Sequence, residues 1–108
     1  MQSVKDRISE LVSAKGKVLV FSKTWCPYCD EVKNIFRSVE VEFETYELDK
    51  LPDGDSIQAA LLEITGQRTV PNIFISGTHV GGCDDLKAKI KSGKAIDLLE
   101  AGGIAYNV

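Results

Sequence analysis

The segment KVLVFS, Lys17 to Ser22, leads after three residues into CPYC, Cys26 to Cys29, and that succession restricts the possible folds most. Val18, Leu19, Val20 and Phe21 form an unbroken apolar run of strand-forming residues. Such a run suits a strand covered on both faces, because a strand with one wet face alternates apolar with polar residues. From Pro27 onward the spacing changes, and Val32, Ile35, Phe36 and Val39 share one helical face. Pro27 fits the first helical position, where its missing N–H has no partner to lose. A strand buried on both sides therefore passes into a helix at Cys26, which calls for a layered α/β architecture.

The rest of the chain agrees. Ser3 and Asp6 mark a helix start, followed by Val4, Ile8, Leu11 and Val12 on one face until Gly16. VEFETYEL, Val41 to Leu48, reads as a second strand whose alternation slips near Thr45, and LPDGD is a turn. Ile57, Ala60, Leu61 and Ile64 make another helical face closed by Gly66. VPNIFISGTHVGG reads as two strands joined by a tight turn at Ser76 and Gly77. The remainder supplies one or two helices, with Asp84 or Asp85 as the cap and Gly93 as a break. Alternating strands and helices imply a parallel pair with a crossover, and the hairpin adds antiparallel strands. The expectation is an α/β fold with a small mixed sheet flanked by helices, one domain over residues 1–108.

A formal net charge of −3 provides no general basic field for nucleic acid. The N-terminal MQSVKDRISELVSAK is interrupted by Lys5, Asp6, Arg7 and Glu10, which does not suit a secretion signal, and no run is long enough to span a bilayer. Three cysteines, two of them in C-x-x-C, favour a reducing compartment, most simply the cytoplasm.

C-x-x-C serves either metal or redox chemistry. A structural zinc site normally takes four ligands, and the other candidates, His79 and Cys83, lie far downstream in H-x-x-x-C spacing. Redox chemistry fits better. At the helix start the Cys26 sulfur meets free backbone N–H groups and the positive end of the helix dipole, which favour thiolate. Cys29, about one turn on, lies beside it and deeper. A free thiol of pKa near 8.5 is about 3% thiolate at neutral pH, so lowering it by about three units raises that fraction roughly thirtyfold. The accompanying loss of nucleophilicity takes back roughly 15- to 30-fold, but the sulfur becomes a better leaving group. Cys26 is thus expected to attack and Cys29 to resolve. Lys23 is a nearby cation, Tyr28 is placed to line a ligand surface, and Trp25 is read as packing. His79 is expected at an exposed hairpin position, since attacking thiolates need no general base.

CPYC after the first strand, TVP (Thr69 to Pro71) opening the third and GGCDD (Gly81 to Asp85) after the hairpin together resemble a dithiol glutaredoxin, from the first helix to about Leu99. The resemblance implies a thioredoxin-like fold with a four-stranded mixed sheet, and glutathione-dependent thiol–disulfide exchange. It makes Cys26 the sulfur that attacks protein–glutathione mixed disulfides and Cys29 the thiol that completes reduction of protein disulfides. It also implies a monomer with glutathione as reductant, itself kept reduced by NADPH and glutathione reductase, and no metal. A cis bond between Val70 and Pro71 would present the Val70 backbone to glutathione. Lys23 with Gln67 or Arg68 would hold one carboxylate, and Tyr28 and Thr69 would line the site. Gly82, Cys83 and Asp84 would receive the other end at a helix start, where N–H groups suit a carboxylate. A passive, partly buried role is expected for Cys83. The alternatives are a glutathione-ligated 2Fe–2S cluster protein, against which Pro27 speaks by stiffening the loop, a glutathione-independent reductase and an inactive interaction fold.

Overall fold

The computed structural model describes residues 2–108. Its elements run α1 (Val4–Val12), β1 (Val18–Ser22), α2 (Pro27–Ser38), β2 (Glu44–Glu47), α3 (Gly54–Thr65), β3 (Asn72–Ile75), β4 (Thr78–Gly81), α4 (Cys83–Ser92) and α5 (Lys94–Ala101). The strands form one four-stranded mixed sheet in the order β2-β1-β3-β4. β1 is parallel to β2 and antiparallel to β3, and β3 and β4 form the hairpin.

Both faces of the central strands are covered, as the unbroken apolar run in β1 requires. Val18 and Val20 pack with Ile73 and Ile75 against Val32 and Phe36 of α2, Leu86 of α4 and Leu99 of α5. Leu19, Phe21 and Phe74 pack on the opposite face against Ile8 and Val12 of α1 and Ile57 and Leu61 of α3. Alternate residues of one strand thus anchor two helical layers. The Phe21 ring lies stacked on Tyr46 at 5.2 Å and edge-on to Phe74 at 5.9 Å between centroids. No helix is long and apolar enough to cross a membrane among the described residues.

Local signals placed most boundaries correctly. Ser3 Oγ accepts from the Asp6 N–H at 3.1 Å. The hairpin turn has left-handed φ at both Ser76 (48°) and Gly77 (83°), which suits the twist of the strands it joins. Gly93 separates α4 from α5.

Two expectations are corrected. The second strand is Glu44–Glu47 rather than Val41 to Leu48, paired at the sheet edge with Leu19–Ser22. Val41 and Phe43 are apolar because they pack into the core beneath α2, and the Val41 N–H closes that helix on the Phe36 carbonyl at 2.9 Å. The cap of α4 is Gly82, not Asp84 or Asp85; Asp85 instead reaches back and accepts the Gly82 N–H at 2.9 Å. Lys33, buried on α2, donates to Glu47 Oε2 at 3.1 Å and ties the helix to β2.

Candidate active site

β1 ends at Ser22, and a short loop carries the chain past the end of the strand to α2. That loop is held from outside its own sequence: Asp49, just past β2, accepts the Thr24 N–H at 3.0 Å and also the Thr24 hydroxyl. These bonds hold the Asp49 carboxyl below its usual range. The Cys26 N–H then bonds the Lys23 carbonyl at 3.2 Å, and Cys26 becomes the cap of α2 in extended conformation, φ −96° and ψ 109°.

Cys26 Sγ accepts the Cys29 N–H at 3.2 Å, as a capping side chain does. Its second polar neighbour is the Val70 carbonyl at 3.8 Å. The two sulfurs differ in depth, although both are largely covered: Cys26 is 5% exposed and Cys29 0%. Burial, then the neighbouring Cys26 sulfur, pushes the Cys29 thiol up to about 11. Cys29 therefore stays a neutral thiol at neutral pH, while Cys26 holds the position where a backbone donor supports negative charge on sulfur.

Beside Val70 a cleft of ≈ 390 Å³ opens, lined by Tyr28, Thr69, Val70, Pro71 and residues 82–85. The Val70–Pro71 bond is cis, as expected. Tyr28 is 63% exposed and forms one lip. Cys83 opens α4 on the opposite wall, and its thiol donates to Glu31 Oε2 at 3.3 Å. The structure thus gathers Tyr28, Thr69, Val70, Pro71, Gly82, Cys83 and Asp84 around one opening next to Cys26.

Lys23, Gln67 and Arg68 do not line that cleft. Half-buried Lys23 places its ammonium 5.5 Å from the Trp25 ring centroid. Gln67 Nε2 donates to the Thr69 and Pro71 carbonyls at 3.1 and 3.0 Å, so this side chain shapes the TVP loop from behind. Arg68 borders a separate hollow with Asp55, Gln58, Ala59 and Leu62, and Gln58 holds its carbonyl at 2.8 Å.

Two further expectations change. Trp25 is not packed but 69% exposed. His79 is not an exposed hairpin residue: its Nε2 lies 2.8 Å from Asn72 Oδ1, its ring 5.1 Å from Phe74, and burial lowers its pKa. Asp49 and Glu31 were missed by local reading, because their partners lie 25 and 52 residues away along the chain.

Gly81 is required by more than ligand access. Its φ is +114°, and a Cβ there would lie 2.3 Å from Asp85 Oδ2, the oxygen that holds the Gly82 N–H. Gly81→Ala is expected to destabilise the chain by about 2–3 kcal/mol through backbone strain and loss of the cap. Urea unfolding followed by circular dichroism measures it; a change under about 0.5 kcal/mol would show that Asp85 moves aside freely.

A sulfur capping one helix, a second and fully buried thiol behind it and a cleft beside a cis-proline loop are the arrangement of a thiol–disulfide oxidoreductase of thioredoxin-like fold. A model of the Glutaredoxin family matches residues 18–80, and the chain belongs to that family. It is 50% identical over 108 residues to Glutaredoxin-C1 of Arabidopsis thaliana, covering 99% of this chain and 86% of that one. It is 50% identical over 99 residues to a glutaredoxin of Ricinus communis, covering 91% and 96%. A crystal structure of a buckwheat glutaredoxin–glutathione complex superposes with a TM-score of 0.86 at 47% identity, covering 93% of this chain and 90% of that chain. Among the described residues, no three or more His, Cys, Asp or Glu side chains cluster as metal ligands.

Proposed function

We propose that this chain reduces protein–glutathione mixed disulfides, with glutathione as reductant, in a reducing compartment such as the cytoplasm. The observation that carries this reading is Cys26 Sγ, held by the Cys29 N–H and facing Val70 at the mouth of the cleft. The likeness to a glutaredoxin in complex with glutathione supports the choice of ligand.

Cys26 thiolate attacks the glutathione sulfur of the mixed disulfide. A bond forms between Cys26 and glutathione, the protein–glutathione bond breaks, and the protein leaves as a thiolate that takes up a proton. A second glutathione thiolate then attacks the bound glutathione sulfur, giving glutathione disulfide and freeing Cys26. The extended peptide lies along Val70, with one carboxylate toward the Gly82–Asp84 helix start. Lys23, outside the cleft beside Trp25, must reach over to meet its other carboxylate; Gln67 contributes by shaping the loop, and Arg68 must swing out of its hollow to take part.

Protein disulfides take the dithiol route. Cys26 joins one sulfur of the protein disulfide while the other leaves as a thiolate and takes up a proton. Cys29 then gives up its proton and attacks Cys26, the joined protein sulfur leaves as the Cys26–Cys29 disulfide closes, and two glutathiones reopen it. Burial holds the Cys29 thiol above its ordinary range, which makes this the slower branch.

Purified protein with a glutathionylated peptide, glutathione, NADPH and glutathione reductase should oxidise NADPH continuously. Cys29→Ser should keep that rate within about twofold while losing on the order of tenfold or more against a protein disulfide. The absence of turnover on the mixed disulfide would overturn the proposal.

A further inference from the structure

Cys83 occupies a position that ordinarily promotes sulfur chemistry. It lines the cleft, and it is the first residue of α4, where unpaired N–H groups and the helix dipole favour an anion. Yet it is only 6% exposed, and its thiol is directed across to α2, where Glu31 Oε2 accepts it at 3.3 Å. The same oxygen is ion-paired with Lys87, one turn further along α4. The charged groups acting on the sulfur are therefore Glu31 from α2 and Lys87 and Asp84 from its own helix.

An ionised carboxylate is an acceptor only, so it can hold a thiol but not a thiolate. Loss of the Cys83 proton would convert a hydrogen bond into contact between two anions. Burial, then Glu31, holds this thiol up at about 11. Lys87 has two effects: it seats the carboxylate, and its charge partly offsets that carboxylate at the sulfur.

We propose that Glu31, seated by Lys87, is a specificity-determining residue that keeps the Cys83 thiol engaged as a proton donor and so confines disulfide exchange in this cleft to Cys26. The consequence for glutathione rests on the function proposed above; the bridge itself does not. With the bridge removed, Cys83 thiolate attacks glutathione disulfide. One sulfur–sulfur bond forms between Cys83 and glutathione, the original disulfide bond breaks, and the departing glutathione thiolate takes up a proton. The Cys83 sulfur is oxidised and the departing sulfur reduced.

The test is brief labelling of the full chain with iodoacetamide from pH 7 to 11, with each cysteine quantified by peptide mass spectrometry. Glu31→Gln should move the Cys83 labelling midpoint down by about one unit, or about tenfold more labelling at pH 8. Lys87→Met, which leaves the carboxylate uncompensated, should instead lower Cys83 labelling about two- to threefold at that pH. A mere strut between α2 and α4 behaves differently: both substitutions would open the gap and raise labelling with no change in midpoint. That result, or an unchanged Cys83 in Glu31→Gln, overturns the proposal.

Glutathione disulfide as the probe then tests selectivity. In a Cys29→Ser background, where the Cys26–Cys29 disulfide cannot close, the chain with Glu31 should carry glutathione on Cys26 alone, and Glu31→Gln on Cys26 and Cys83. Glutathione on Cys26 but not on Cys83 in Glu31→Gln would refute confinement by Glu31. No glutathione on either sulfur, with the labelling shift present, would refute the glutathione function and leave the bridge supported.

Discussion

Cys26→Ser should lower turnover of a glutathione mixed disulfide by a factor on the order of 10³ or more, to the uncatalysed rate. In the proposed reaction, sulfur at this position attacks a disulfide and then leaves again, and a hydroxyl does neither under the same conditions. The loss is separable from damage to the fold. Cys26 caps α2 by accepting the Cys29 N–H, and serine is among the residues preferred for that role. Thermal stability should therefore remain unchanged or rise by up to about 1 kcal/mol. Steady-state rates and a melting curve on one preparation check both halves. Residual activity within tenfold of the parent would mean that another sulfur carries the reaction.

Phe21→Ala should have the largest effect on stability, about 3–5 kcal/mol. Its side chain is fully buried in β1, with aromatic partners on two sides in Tyr46 of β2 and Phe74 of β3. Truncation leaves a cavity between the sheet and helices α1 and α3, which the packed layers fill only in part. A chain of this size should lose about 12 °C or more in melting temperature. Activity should fall in parallel near the lowered melting point, since β1 delivers the loop that ends at Cys26. A loss below about 1 kcal/mol in urea unfolding would contradict this account of the core.

The sequence was most informative where a property depends on residues within a turn of one another. Pro27 after Cys26, Ser3 before Asp6 and Ser76–Gly77 each specify a local backbone, and each stands where expected. β2 was overextended because alternation reports which side chains are buried, not which backbone groups find a partner. Val41 and Phe43 satisfy the first condition by packing under α2 and fail the second. His79 and Asn72 meet across the hairpin, Thr24 and Asp49 across the parallel pair, and Cys83 and Glu31 across two helices. No short-range pattern encodes such meetings. The cysteine pair and the cleft-lining motifs were legible in the chain; the struts that hold them were not.

Trp25 acquires a practical meaning from its position. It is the chain's one tryptophan, it is 69% exposed, and it immediately precedes Cys26. Its indole carries the Lys23 ammonium against one face, 5.5 Å from the ring centre. Light emitted by this single ring should therefore serve as an intrinsic optical reporter of chemistry at Cys26, one that requires no attached dye. A stopped-flow trace of that emission is expected to follow the population of chains in which Cys26 acquires and loses a partner, in the unaltered protein.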